Sequence, residues 1–408
     1  MFTYQIFSHK YGKSYKLIKV IIYQGGKVSV TKTRTDYRSS GVNVELGNDA
    51  SKVLYEAAKL TWNNRKGKLG EVVEIFQNFS GLRAIDVSGL PKGTFMNINF
   101  DGVGTKMELG ERIAKHDTVA YDLFAMVCDD AVVRGAEPVI IGSVLDVKSL
   151  GKDGNSHIDL VKQLAVGYIG AAKEANVAIV NGEIAELGAR VGGYGEFNYN
   201  WSAGVVWFAK KERLLTGYEV KEGDYLVGLK EEGFRSNGLS LHRKIMKSVH
   251  GENWHEETYD GKNLAELALQ PSRIYSGAVV DMFGGFAKEP KAEIHGIAHI
   301  TGGGIPEKLG RMLRPSGLGA NLEELFRPSN LMLYSQEKGT VTDEEAYRTW
   351  NMGQGMIIAT TQPDKVVKVA KEHGIEAKIM GEVIKEPIVV LRNMGINYKE
   401  GEKLRFNI

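Results

Sequence analysis

A short glycine-containing segment, Asp101-Gly102-Val103-Gly104-Thr105-Lys106, most constrains how this chain can fold. In the preceding stretch, 95–101, apolar and polar residues alternate, which predicts a β-strand that ends at Asp101. Glycine permits tight turns and lets backbone amides approach an anion closely. A carboxylate, such a turn and a lysine in one short segment are suited to holding a polyphosphate with its divalent cation.

Three more carboxylates, Asp122, Asp129 and Asp130, follow this segment. The stretch 117–134 predicts a helix that ends before Gly135. Asp122 and Asp129 would lie on one face of that helix, because their spacing is close to two helical turns. Carboxylates this close repel one another unless a cation or a basic partner neutralises them.

A structural explanation of the same pattern stays open. An ordinary strand-to-helix turn followed by a solvated acidic face would have the same sequence. Asp122 is equally compatible with an ion pair to Lys115 or Arg134.

Composition limits the class of protein. A chain of 408 residues is longer than one compact core usually needs, so two domains are expected. The formal net charge of +2 does not favour nucleic acid or a membrane surface as a partner, and no uninterrupted apolar stretch is long enough for a membrane helix. The single cysteine, Cys128, excludes intramolecular disulfides. Because residues 1–34 also lack a signal-peptide layout, we expect a cytoplasmic protein.

The order of patterns predicts the domain organisation. Residues 1–34 differ from the rest and predict a β-hairpin within an N-terminal extension. Beyond them, strands and helices alternate in both halves, and we place the domains at 35–212 and 213–408. The expected fold class is α/β, in layers of the α+β type, with mixed sheets covered by helices on one side.

The predicted helices are 48–63, 117–134, 157–175, 239–247, one from 272, one after 304, and 363–373. The predicted strands are 95–101, 138–146, 177–182, 202–209, 225–229, 295–299, 355–360 and 377–391.

A second glycine turn, Thr301-Gly302-Gly303-Gly304, opens one of these helices. Consecutive amides at the positive end of a helix suit an anion such as a ribose phosphate, although a plain tight turn would have the same sequence. His299 is a candidate for substrate binding or proton transfer, against the commoner structural role of a single histidine. Glu183 follows a predicted strand, where α/β folds place ligand groups.

Together these motifs resemble those of the phosphoribosylformylglycinamidine cyclo-ligases, also called aminoimidazole ribonucleotide synthetases, over about residues 36–390. One such motif is weak evidence, whereas this many in the family's order is specific. The matching segments are 37–42 (weakly), 101–106, 116–118 with Asp130, 135–138, 182–183 with 185–186, 236–238, 272–275, 298–304, 347–349 and 351–353.

The resemblance implies a two-domain PurM-like fold whose N-terminal domain forms a homodimer, with ATP bound near the dimer interface. It also implies a reaction of purine biosynthesis in which ATP and Mg²⁺ activate the formyl oxygen of formylglycinamidine ribonucleotide. The amidine nitrogen then closes the ring, and aminoimidazole ribonucleotide forms. Phosphoryl transfer of this kind needs alignment and charge compensation more than a covalent nucleophile.

The residues and the resemblance together predict roles for individual side chains. The predicted metal ligands are Asp101, Asp130 and Glu183. The predicted catalytic residues are Lys106, Asp130 and His299. The predicted nucleotide-binding residues are Asp101, Gly102, Val103, Gly104, Lys106, Asp122, Asp129 and Glu183. The predicted substrate-binding residues are Ser236, Asn237, Thr301, Gly302 and Gly303. Arg235 and Arg273 are candidates for binding the substrate phosphate or for locking the two domains together.

Departures from the family pattern keep other functions open. Phe100 stands where a threonine is common, Asp129 where an asparagine is usual, and Ile184 where the family has a hydroxyl side chain. The alternatives are a divergent nucleotide-binding homologue without catalysis and a small-molecule kinase of the same fold, such as a thiamine monophosphate kinase. A selenophosphate synthetase or a hydrogenase maturation protein would need terminal cysteines, which this sequence lacks.

Overall fold

The computed structural model describes residues 43–76, 83–152, 154–399 and 401–408. The predicted extension 1–34 with its hairpin, and the weak motif at 37–42, lie outside the described residues. Within the described part, no helix is both long and apolar enough to cross a membrane.

The first half of the described chain builds a four-stranded sheet with helices packed against it. Its helices are α1 (Val44–Thr61), α2 (Met107–Ile113), α3 (Val119–Val132) and α4 (Ile158–Glu174). Its strands are β1 (Val72–Val73), β2 (Ala84–Ile85), β3 (Thr94–Gly102), β4 (Glu137–Val147), β5 (Gly151–Lys152), β6 (Asn155–Ser156), β7 (Ala178–Glu186) and β8 (Tyr199–Lys210). The sheet has the order β3-β8-β4-β7, in which β4 and β7 are parallel and the other pairs are antiparallel.

The second half builds a seven-stranded sheet. Its helices are α5 (Leu239–His250), α6 (Leu264–Ala268), α7 (Ser276–Phe283), α8 (Gly304–Leu313), α9 (Asn330–Gly339), α10 (Asp343–Thr349) and α11 (Pro363–Glu372). Its strands are β9 (Tyr225–Lys230), β10 (Thr258–Tyr259), β11 (Lys262–Asn263), β12 (Gly296–His299), β13 (Gly319–Leu322), β14 (Gln354–Thr360), β15 (Ala377–Ile384), β16 (Ile388–Arg392) and β17 (Lys403–Asn407). The sheet order is β12-β14-β9-β15-β13-β16-β17, and only the described pair β13/β16 is parallel.

Helix α3 is buried on nearly all sides. It packs on β3 and β8 of the first sheet, on α4, and on α7 and β12 of the second half. Apolar residues fill most of its positions, but Asp122 and Asp129 are also fully buried. The solvated acidic face that the sequence left open is therefore wrong for these two residues, and each needs a partner within the protein.

The opposite face of the first sheet is exposed and apolar. Met96, Ile98 and Phe100, which alternate along β3, are 62%, 43% and 75% exposed. On the other side of the strand, Asn97 is exposed, whereas Asn99 packs inward and accepts a hydrogen bond from the indole nitrogen of Trp207 at 2.9 Å. The helix-covered side of this sheet is apolar as usual, with Trp201, Ala203 and Val205 of β8 buried, so the exposed apolar residues of β3 are an additional apolar surface.

The predicted layered α/β fold with mixed sheets is confirmed. Most predicted elements are present within a few residues, but the helix predicted from residue 272 begins at Ser276, and the stretch 377–391 is two strands. The elements that were not predicted are helices α2, α6, α9 and α10, strands β13 and β17, and the two-residue strands β1, β2, β5, β6, β10 and β11. The domain boundary after residue 212 stays a prediction; β8 ends at Lys210 and β9 begins at Tyr225.

Candidate active site

Three loops from different parts of the chain meet beyond the end of β3. Gly104 has a φ of 70° and turns the chain from β3 into α2. A methyl group added to Gly104 would lie 3.6 Å from the carbonyl oxygen of Ser236, and one added to Gly302 would lie 3.3 Å from Nδ2 of Asn237. The structure therefore brings together the first glycine segment, the 236–238 motif and the second glycine turn.

Two side-chain oxygens in these loops have unused hydrogen-bonding capacity. Ser236 Oγ and Asn237 Oδ1 are buried and have no hydrogen-bond partner among the described residues. Because buried polar atoms are nearly always paired, each of these oxygens is suited to a ligand or a water molecule. Their predicted role in substrate binding stays a prediction.

The second glycine turn shapes the start of α8. Gly303 precedes the helix with a φ of 90°, and Gly304 follows with a φ of 62°. A methyl group on Gly304 would lie 1.9 Å from the carbonyl oxygen of Tyr347, so packing against α10 also requires glycine there. Packing therefore explains why glycine occupies position 304. The anion-binding role of Thr301, Gly302 and Gly303 stays a separate prediction.

Lys106 and Asp122 are paired with each other in the protein interior. Both side chains are 0% exposed, and Lys106 Nζ lies 2.7 Å from Asp122 Oδ1. Lys106 also donates to the carbonyl oxygen of Gln270, and Asp122 accepts from the hydroxyl of Ser272. The partner of Asp122 is thus Lys106, and not Lys115 or Arg134 as the sequence allowed. Neither residue lines the cavities beside Asp130 and beside Glu183 that are described below.

Asp129 is the centre of a second buried ion pair. Its Oδ2 lies 3.0 Å from Arg235 Nη2, and its Oδ1 accepts hydrogen bonds from the backbone amides of Tyr275 and Ser276 at 2.9 and 2.8 Å. Burial raises the pKa of Asp129, whereas Arg235 and the two amides oppose that rise. Asp129 therefore caps helix α7 from a neighbouring helix, and this explains why α7 begins at Ser276 rather than at residue 272.

Arg235 itself is buried, so it does not reach into solvent to bind a phosphate. Its guanidinium contacts Glu231 at 2.6 Å and Asp129 at 3.0 Å, and lies over the ring of Tyr275. The sequence left two roles open for Arg235, binding the substrate phosphate and locking the two domains together. These contacts fit the second role. Arg273 donates to the carbonyl oxygen of Gly374 at 3.2 Å.

His299 connects this buried cluster to the surface. Its Nε2 lies 2.8 Å from Arg235 Nη2, and its Nδ1 lies 2.8 Å from Asp130 Oδ1. A guanidinium can only donate hydrogen bonds, so Nε2 must accept and the ring proton is assigned to Nδ1. Burial lowers the pKa of His299; Asp130 opposes this and Arg235 adds to it. His299 is thus a neutral imidazole that donates to Asp130 and fixes its orientation.

Asp130 and Asp101 form the carboxylate pair of the site. Asp130 is 44% exposed, and although burial tends to raise its pKa, the hydrogen bond from His299 and nearby positive charges lower it overall. Burial raises the pKa of Asp101, and the negative charge of Asp130 adds to that rise. Two interacting carboxylates at a solvent-accessible position fit Mg²⁺, which commonly takes one or two carboxylates together with substrate phosphates.

Within one chain, Glu183 lies far from Asp101 and Asp130. In the first sheet, Gly102 pairs with Ser202, Ser202 with Val144, and Val144 with Glu183. Three strand spacings separate Gly102 from Glu183, which is roughly 14 Å. No group of three His, Cys, Asp or Glu suited to a metal occurs in the part of the chain that the structure describes.

Glu183 instead borders a different cavity. That cavity has a volume of about 290 Å³ and lies between α1 and β7, with Trp62 and Tyr168 in its wall. The predicted nucleotide-binding role of Glu183 stays a prediction, as do those of Gly102 and Val103.

A cavity of about 180 Å³ opens beside Asp130 and His299. Besides these two residues and Thr301, three basic side chains line it: Arg134, Lys308 and Arg311. The sequence analysis did not single out Lys308 or Arg311. The available signal was their position in α8, one and two turns beyond Gly304, in the helix that the second glycine turn opens.

Comparison with known proteins supports the resemblance found in the sequence. The N-terminal domain of AIR synthase related proteins matches residues 84–204, and the C-terminal domain of the same proteins matches residues 221–392. Both halves of the fold, including all three loops of the candidate site, therefore match AIR synthase related proteins.

Curated relatives make the relationship more specific. The phosphoribosylformylglycinamidine cyclo-ligase of Alkaliphilus metalliredigens is 31% identical over 355 residues, which are 86% of this chain and 95% of that protein. The protein of the same name from Pyrococcus furiosus is 31% identical over 364 residues, 89% and 99% of the two chains. That of Methanocaldococcus jannaschii is 35% identical over 292 residues, 71% and 78% of the two chains. This chain belongs to the phosphoribosylformylglycinamidine cyclo-ligase family.

Solved structures with low sequence identity share the fold. Thiamine-monophosphate kinase from Stenotrophomonas maltophilia K279a aligns with a TM-score of 0.54 at 11% identity, covering 81% of this chain and 94% of its own. The hydrogenase maturation protein HypE of E. coli aligns with a TM-score of 0.54 at 13% identity, covering 86% and 95%. At these identities the likeness shows the fold alone.

The buried pair of Lys106 and Asp122 yields a prediction about stability. Replacing Lys106 with methionine leaves the Asp122 carboxylate buried without its cation, so the free energy of unfolding should fall by about 3–5 kcal/mol. The double variant Lys106→Met/Asp122→Leu should recover part of this loss, because both charges are then removed. Urea unfolding followed by circular dichroism measures both.

The matched control is Lys162→Met, which removes an exposed ion pair with Asp159 on α4 and should change stability little. If Lys106→Met abolished activity while the unfolding free energy stayed at the wild-type value, Lys106 would belong to the reaction and not to the core.

Proposed function

We propose that this protein closes the imidazole ring of formylglycinamidine ribonucleotide with ATP, producing aminoimidazole ribonucleotide in purine biosynthesis. The observation that carries the proposal is the position of Asp130, which lines a basic cavity and is held there by a hydrogen bond from His299. The extent of the match to the cyclo-ligases, up to 99% of a relative's length, supports it.

The proposed reaction has two chemical steps. The formyl oxygen attacks the terminal phosphorus of ATP, the bond to the bridging oxygen breaks, and ADP leaves. The amidine nitrogen then attacks the former formyl carbon; a C–N bond forms, the C–O bond to the phosphoryl group breaks, and inorganic phosphate and a proton leave. Both steps place negative charge on phosphate oxygens, so the protein contributes mainly alignment and charge compensation.

Each part of the site has a proposed task. Asp101 and Asp130 would hold Mg²⁺, whose chemistry is to shield the phosphate charges. His299 keeps Asp130 oriented and ionised through the hydrogen bond from Nδ1. Ser236 and Asn237 offer their unpaired oxygens to the substrate, and the Thr301–Gly303 turn offers amides to its ribose phosphate. Support for ATP comes from a protein of the same fold, HypE, which was solved in complex with ATP (TM-score 0.52, 14% identity).

The assay of the purified protein tests this function. With ATP, Mg²⁺ and formylglycinamidine ribonucleotide, we expect stoichiometric ADP, phosphate and aminoimidazole ribonucleotide. Asp130→Asn should lower kcat/KM by about 10²-fold or more, because the charge that faces the cation is lost, while the melting temperature changes little. The control Asp159→Asn alters a 90% exposed carboxylate on α4 and should leave both quantities unchanged.

Two results would contradict the proposal in different ways. Tight ATP binding without any product would favour a nucleotide-binding homologue without catalysis. A collapse of the Asp130→Asn fold would mean that Asp130 is structural.

We further propose that two copies of the chain pair through the exposed apolar face of the first sheet, defined by Met96, Ile98, Phe100 and Val144. These side chains are between 43% and 75% exposed, and a contiguous exposed apolar surface of this kind marks an interaction site. Asp101 follows Phe100 directly, so such a dimer would put the carboxylate pair next to the interface.

Phe100→Asp tests the proposed dimer, because it adds a charge to the most exposed residue of that face. We expect wild-type protein to elute with twice the chain mass in size-exclusion chromatography with light scattering, and the variant to elute with the mass of one chain. Val166→Asp, at a 64% exposed apolar position on α4, is the control and should stay dimeric. Wild-type protein of single-chain mass at micromolar concentration would refute this interface.

A further inference from the structure

The sequence predicted that Lys106 binds the nucleotide. Because Lys106 is buried, it does not supply positive charge to the basic cavity, which is the cavity lined by Arg134, Lys308 and Arg311. Lys106 Nζ is committed to Asp122 and to the carbonyl oxygen of Gln270, and its side chain is 0% exposed. A phosphate near Asp101 and Asp130 therefore has to be met by another positive group. Lys308 is in the right part of the structure, since it lines the cavity beside Asp130 and His299.

Lys308 is available for a ligand. The ion pair that the structure gives it is with Glu307 at 4.0 Å, the outer limit for such a contact. Its side chain is 17% exposed, and burial together with the charge of Arg311 lowers its pKa, against the opposing charges of Glu307, Asp130 and Asp101. An ammonium group that is partly desolvated and weakly paired gains from a nearby anion.

The direction of the side chain adds to this argument. Side chains of a helix point towards its N-terminus and cover the preceding turn. Lys308 lies one turn into α8, so its ammonium group is directed towards the start of the helix, where residues 302–304 form the glycine turn. Glu307 covers another side of the same turn, because a methyl group on Gly303 would lie 2.0 Å from its Oε2. The Glu307 carboxylate repels an anion on its own side of the turn, whereas Lys308 lines the cavity together with Asp130 and His299.

We propose that Lys308 is a ligand-binding residue that holds a phosphate group in the cavity, with Arg134 and Arg311 as further positive charges. This inference rests on the proposed function. The phosphate belongs either to the terminal end of ATP or to the ribose 5′-phosphate of the substrate; the chemistry is the same, a phosphate dianion next to the carboxylate pair. Asp101 and Asp130 face the cation, and Lys308 faces the phosphate oxygens.

Steady-state kinetics of Lys308→Met, with each substrate varied separately, tests the proposal. We expect a rise of about tenfold or more in one KM, with an unchanged melting temperature, because a charge-assisted contact to phosphate is lost. A raised KM for ATP assigns the phosphate to the nucleotide, and a raised KM for formylglycinamidine ribonucleotide assigns it to the ribose. Lys308→Arg keeps the charge and should recover most of the affinity.

The matched control is Lys368→Met, at an exposed lysine on α11 that does not line the cavity; its kinetics should equal those of the wild type. If both KM values of Lys308→Met stay within about twofold of the wild type, whatever happens to kcat, the proposal is overturned.

A binding experiment separates this inference from the proposed function. Isothermal titration of the wild type and Lys308→Met with Mg²⁺–ATP, and with formylglycinamidine ribonucleotide alone, needs no ring closure. Weaker binding of either ligand by the variant, in a protein that forms no product, would refute the cyclisation and keep Lys308 as a phosphate ligand. If Lys308→Met bound both ligands as tightly as the wild type and also cyclised the substrate normally, the role of Lys308 as a phosphate ligand would be refuted and the cyclisation would be kept.

Discussion

The buried guanidinium of Arg235 is the interaction on which the site depends. It joins Asp129 of α3 to Glu231, which follows β9, and to His299 at the end of β12. Arg235 also has a φ of 60°, a backbone conformation that costs a non-glycine residue about 1 kcal/mol or more. The surrounding contacts hold it there, because removing one partner of a buried charge cluster leaves the others uncompensated.

This cluster reaches the surface through one side chain. Arg235 takes up the Nε2 lone pair of His299, so the proton on Nδ1 points at Asp130. The sequence places Asp129 and Asp130 next to each other, but a helix turns by about 100° per residue, so the two carboxylates face different surroundings. Asp129 faces α7 and is structural, whereas Asp130 faces the cavity and keeps an open side. Neighbouring acids on one helix thus have separate tasks.

Local patterns predicted a good part of this arrangement. The alternation in 95–101 identified β3, the glycine segments identified two loops, and the order of motifs indicated that they belong to one site. The pairing of the acids could not be predicted, since it depends on residues that are distant in the chain: Lys106 and Asp122 are 16 positions apart, and Arg235 and Asp129 are 106 apart. Glu183 was grouped with Asp101 because both end or follow strands; only the sheet order shows three strand spacings between them. Lys308 was missed because its position one turn beyond the second glycine turn indicates ligand binding only once the cavity beside Asp130 is known.

Arg235 holds His299 as a neutral ring with its proton on Nδ1, so that Asp130 is oriented for a cation. Nitrogen-15 NMR of histidine-labelled full-length protein near neutral pH measures this directly, with the His299 signals assigned by their loss in His299→Gln. We expect a protonated-type shift for Nδ1 and an unprotonated-type shift for Nε2. A proton on Nε2, or a doubly protonated ring, would contradict it.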